Sequence, residues 1–108
     1  MKLIFAIVHD QDAQRVSNTL INSGYSTTKL CSTGGFLKVG NTTIMIGIDD
    51  KDLENVLYII KTNSKSRTQY MQTSDHGVFA GRMTTGGIKV NVGGAIVFVT
   101  AVERMEKF

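Results

Sequence analysis

Six consecutive apolar residues, Leu3 to Val8, open the chain almost at its first position. A run of that length, apolar on both sides of the pleat, predicts a central strand covered on at least one face. Helix signals follow at once. Asp10 and Asp12 favour a helix N-terminus, Ala13, Val16 and Leu20 recur at spacings of three and four, and Gly24 is placed to end the helix. Tyr25 to Thr33 is threonine-rich and alternates, Gly34-Gly35 interrupts it, Phe36 to Val39 resumes, and Gly40-Asn41 interrupts again before a strand over Thr42 to Ile48. The second helix is clearer, because Asp49, Asp50 and Asp52 crowd its start and Leu53, Val56, Leu57 and Ile60 form one apolar stripe. Asn63 and Ser64 end it.

From Lys65 to Gly94 the chain is polar and broken by Gly77, Gly81, Gly86, Gly87, Gly93 and Gly94. That length predicts a hairpin or a mobile excursion rather than a plain loop. Thr68 to Gln72 and Ile88 to Val92 have the β character of its two arms. Ala95 to Val102 is a last apolar strand, and Glu103 to Phe108 a short tail. The order β-α-β-β-α-β, with an excursion before the last strand, is the ferredoxin-like α+β pattern: an antiparallel sheet with two helices on one face. The other face then needs cover. Oligomerisation through the sheet is the simplest cover, since the first and last strands are apolar at consecutive positions.

Composition narrows the partners more than the fold. The 108 residues make one domain, residues 1–108, and 42% hydrophobic with 19% charged residues is an ordinary globular balance without a membrane span. The first apolar run is too short for a signal-peptide core and is met by Asp10 and Asp12, so it is read as a strand. A single cysteine excludes an internal disulfide and, with only two histidines, offers no zinc-site spacing, which points to a reducing cytoplasm. The net charge of +3 comes from twelve scattered Lys and Arg residues, which argues against DNA and leaves room for a small anionic ligand.

The candidate chemistry sits in Thr27 to Gly47. Gly34 and Gly35 permit a close backbone approach, and Phe36 after them either stacks on a base or plugs the loop. Asn41 either pairs with an adenine edge or serves as turn chemistry. Thr28, Thr42 and Thr43 read individually as strand residues. Gly47, inside an apolar strand, marks a bulge or a close neighbour, and Gly93-Gly94 carries the same meaning. No phosphate-loop or dinucleotide fingerprint occurs. Asp49, Asp50 and Asp52 are explained by a helix start, His9 and His76 lack a partnered nucleophile, and Cys31 reads as a packed side chain, so the residues assign no catalytic or metal site.

Three segments, MKLIFAIVHDQD (1–12), TKLCSTGGFLKVGNTTIMIG (28–47) and VNVGGAIVFV (90–99), resemble the bacterial PII-like proteins that act as receptors for cyclic di-AMP. The resemblance implies a homotrimer with ligand sites in the clefts between subunits. It implies that Thr28 and Asn41 hydrogen-bond the nucleotide, that Gly35, Phe36 and Leu37 line the base pocket, that Gly47 leaves room for it, and that Phe98 faces the cleft from the second subunit. The segment 65–94 would relay ligand state to a downstream protein that the sequence does not name. Ser26 stands where the resemblance implies Arg, Gly24 where it implies Asn, and Lys107 where it implies Gln. Lys107 would return a positive charge to the site, although a point charge does not replace a guanidinium fork. The expectation is a non-catalytic signalling protein that binds cyclic di-AMP or a related adenine nucleotide and needs no cofactor.

Overall fold

The computed structural model describes the backbone of residues 1–30, 40–71 and 88–108. Strand β1 (Lys2–His9) is followed by helix α1 (Asp10–Asn22), strands β2 (Thr27–Leu30) and β3 (Asn41–Ile48), a single 3₁₀ turn (Asp50–Asp52) and helix α2 (Leu53–Asn63). Strands β4 (Arg67–Met71) and β5 (Ile88–Val92) form a separate two-stranded ladder, and β6 (Ala95–Ala101) returns to the main sheet. That sheet has four strands in the order β2-β3-β1-β6, every neighbour antiparallel. The predicted elements that fall on described residues are present, with the hairpin arms within a residue of their expected bounds, while the expected Phe36 to Val39 segment lies outside the described residues.

Alternation along β1 and β3 decides which residues form the core. Ile4, Ala6 and Val8 lie beside Ile46, Ile44 and Thr42 in register, on the face that the helices cover. Ile44, Ile46 and Ile48 pack there with Ala13, Val16 and Leu20 of α1 and Val56, Ile59 and Ile60 of α2. Polar ties fix the helix layer. Ser17 and Thr27 share a hydrogen bond of 3.1 Å, Lys29 donates to Gln14 at 2.8 Å, and Asn55 donates to the Tyr25 hydroxyl at 2.9 Å.

The start of α1 departs from the sequence expectation at two residues. His9, a candidate base by sequence, caps α1: its Nδ1 accepts from the Gln11 amide at 3.2 Å. Asp12 turns inward rather than serving the exposed helix start. It is fully buried, and its carboxylate accepts from Arg67 at 2.9 and 3.2 Å and from Arg15 at 2.8 Å. Arg67 opens β4, so this charge cluster ties the base of the β4-β5 ladder to the first turn of α1. Gly93 belongs to the same knot. At φ +88° a Cβ there would stand 2.5 Å from both Arg67 Nη1 and the Lys65 carbonyl oxygen. The Gly94 amide also donates to the Ser64 carbonyl, so the returning chain is held against the end of α2.

Candidate functional site

The pleat sends every second residue of the main sheet away from the helices, and the cross-strand register collects them on one open face. β3 contributes Asn41, Thr43, Met45 and Gly47. β1 places His9, Ile7, Phe5 and Leu3 directly opposite them. β2 adds Leu30 opposite Thr43 and Thr28 opposite Met45, while β6 adds Ile96 opposite Ile7, Phe98 opposite Phe5 and Thr100 opposite Leu3. Leu3, Phe5, Ile7 and Met45 are half-buried, and Ile96 and Phe98 are largely exposed. The face is an apolar floor bearing a row of polar and small residues on β3.

All four predicted site residues that lie in described strands, Thr28, Asn41, Gly47 and Phe98, fall on this face. Their spacing differs. Thr28 sits diagonally from Gly47, about 7–8 Å away. Asn41 and Gly47 lie six residues apart on one strand, roughly 20 Å. Phe98 is three strand spacings from Thr28, roughly 14 Å. Ser26 is exposed in the connection into β2, and Lys107 is exposed in the tail beyond β6, at the opposite edge of the sheet from β2. Gly35, Phe36 and Leu37 lie outside the described residues, as do Cys31 and His76.

Gly47 is exposed, and a Cβ there would meet only the Met1 methyl, at 3.7 Å. The position is a notch in the floor beside Leu3, formed because no side chain fills it. At the other end of the row, the Asp10 amide donates to the Gly40 carbonyl at 2.8 Å and the Thr42 hydroxyl donates to the Asp10 carboxylate at 2.5 Å. The start of α1 therefore touches the residues on either side of Asn41 through Asp10, and the β4-β5 ladder through Asp12. Only Gln11 separates the two contacting residues.

The buried Asp12 cluster at the start of α1 carries shifted ionisation. Burial raises the proton affinity of the Asp12 carboxyl, yet the hydrogen bonds and charges of Arg67, then of Arg15, outweigh it and hold the group below the usual carboxylate range. The Asp12 hydrogen bond in turn raises the Arg67 pKa. Among the described residues no three His, Cys, Asp or Glu side chains group to hold a metal ion, and no helix is long and apolar enough to cross a membrane. A groove of about 300 Å³ lies on the helix side, lined by Leu57, Ile60, Lys61, Lys65 and Val97 among others. It contains none of the predicted site residues.

The family model for the cyclic-di-AMP receptor matches residues 1–108, the whole chain. The chain belongs to the cyclic-di-AMP receptor family. As a member of this receptor family it stands among nucleotide-binding signalling proteins. It is also similar to a solved structure, that of a functionally unknown protein from Pediococcus pentosaceus ATCC 25745, at 43% identity over 99% of this chain and 96% of that chain, with a TM-score of 0.77. The open face also carries residues that local sequence pattern does not single out. Met45 and Phe5 form its centre, and Thr43 lies within its polar row. The signal for them was period two: once the strand over 41–48 is placed, its odd-numbered positions share one face.

Proposed function

We propose that this chain is a PII-like signal transduction protein, a cytoplasmic bacterial homotrimer of ferredoxin-like subunits that binds cyclic di-AMP in the clefts between neighbouring subunits. The observation that carries the reading is the match of the cyclic-di-AMP receptor family over residues 1–108. The antiparallel order β2-β3-β1-β6 with both helices on one face supports the ferredoxin-like arrangement. The apolar floor of Leu3, Phe5, Ile7, Ile96 and Phe98 supports association through the sheet, since a face of this kind is stabilised by covering it. Phe98 lies at the opposite edge from Thr28, so a cleft holding both takes them from two copies. Chemistry is not needed. The protein would bind, and the segment 65–94 would relay ligand state to a downstream protein rather than to DNA. Support for the relay is the start of α1, which touches Gly40 and Thr42 through Asp10 and the base of the β4-β5 ladder through Asp12.

Ser26 favours a second reading, in which the same site takes another adenine nucleotide such as ATP or the segment docks a protein without any nucleotide. Calorimetric titration with cyclic di-AMP, ATP and ADP separates the two. The first reading expects heat with cyclic di-AMP at one site per chain, and a roughly tenfold loss of affinity in Asn41→Ala as a paired amide is removed. Absence of heat and of any thermal shift at high micromolar cyclic di-AMP would sink it.

A further inference from the structure

We propose that Thr43 is a further ligand-contacting residue, whose hydroxyl hydrogen-bonds the bound nucleotide between the positions of Asn41 and Thr28. The inference rests on the nucleotide reading above and deepens it. Thr43 is only 7% exposed, although it stands on the sheet face away from the helices. Its Oγ1 is buried with no hydrogen-bond partner among the described residues. An orphaned buried hydroxyl lowers stability, and it stands out in a protein where Ser17, Thr19, Thr42, Thr62 and Ser64 all have partners. A valine would fit the same strand position between Ile7 and Leu30 without leaving a polar atom unsatisfied.

Position gives the hydroxyl its partner. Asn41 and Thr28 are separated by four residues of register and one strand, roughly 14 Å, which is too far for one base edge to bridge unaided. Thr43 lies in that gap, two residues from Asn41 on the same face and diagonal to Thr28, about 7–8 Å away. Together the three make a continuous polar row beside the apolar floor. A hydroxyl is both donor and acceptor, so it suits the alternating donors and acceptors of an adenine edge, directly or through one held water.

The test is calorimetric titration of cyclic di-AMP into the full chain and into Thr43→Val and Thr43→Ser, with ligand-free melting temperatures and solution masses measured alongside. Thr43→Val is expected to bind roughly tenfold more weakly, and to melt no lower than the unmodified protein when ligand-free, because it removes an unpaired buried hydroxyl at nearly constant volume. Thr43→Ser keeps the hydroxyl and is expected to bind within roughly threefold of the unmodified protein. Three results overturn the proposal: unchanged affinity in Thr43→Val, a ligand-free melting temperature several degrees lower, or a changed solution mass. The second would mean that the hydroxyl is bonded in the free protein, and the third that it serves assembly. No binding by the unmodified chain would instead sink the nucleotide reading itself, a result distinguishable from equal binding by both.

Discussion

Asp12→Asn is expected to lower stability by about 2–3 kcal/mol, because it removes the charge that two guanidinium groups converge on inside the fold. Breaking a fully buried pair costs about 3–5 kcal/mol, but Arg67 and Arg15 keep 33% and 52% of their side-chain surface and rehydrate in the variant. The melting temperature should fall by roughly 10 °C at neutral pH. The folded-state pKa of Asp12 is depressed, so its contribution is fully present above the unfolded value, about 3.9, and is lost as pH falls through the folded value. Melting curves at pH 7 and at about pH 3 check both points: the gap between the two proteins should be wide at pH 7 and should narrow in acid. A gap of the same size at both values would mean that the carboxylate charge is not the stabilising element. Since Arg67 begins β4, amide exchange along β4 and β5 should accelerate more than in the main sheet.

Gly47→Val is expected to separate binding from folding. The glycine has no positive φ, and a Cβ at that position meets only the Met1 methyl at ordinary contact distance, so a β-branched residue suits the strand. Loss of glycine's freedom in the unfolded chain also favours the variant. Its melting temperature should therefore match or exceed that of the parent. The valine methyl groups would occupy the notch on the open face beside Leu3, and affinity for cyclic di-AMP should drop by about a hundredfold or more, near 2.7 kcal/mol. Equal affinity in parent and variant would place the ligand away from β3.

Much of the fold is written in local patterns. Leu3 to Val8 reads as a central strand because it is apolar on both sides, and it lies between β3 and β6. Leu53, Val56, Leu57 and Ile60 mark the inner stripe of α2, of which Val56 and Ile60 are buried. Asp12 was not legible in the same way. A carboxylate in the first turn of a helix is explained by the macrodipole, and nothing nearby in the chain announces a partner 55 residues later in Arg67. Gly93 is similar: a glycine pair signals a turn, but the reason is the crowding of Arg67 and the Lys65 carbonyl around it. His9 has the chemistry of a base, yet the orphan amide of Gln11 claims its ring nitrogen.

The site was legible as residue types and not as a surface. Thr28, Asn41 and Gly47 stand out as a polar residue, a turn amide and a strand glycine, and their common face follows from period two once the register is known. Phe98 joins that face only through the pairing of β6 with β1, a contact across more than ninety residues that no local pattern encodes. Thr42 and Thr43 look alike in sequence. The pleat turns Thr42 toward Asp10 and leaves Thr43 buried without a partner among the described residues, so adjacent threonines have different surroundings.

Binding of cyclic di-AMP on the open sheet face is the proposal on which the other expectations rest. A crystal structure of the chain grown with saturating cyclic di-AMP tests it most directly. Nucleotide density is expected against Thr28, Asn41 and Gly47 of one subunit, with Phe98 approaching from a second copy. Density in the groove between α2 and β6, or an open face empty of ligand while the nucleotide is bound elsewhere, would contradict it.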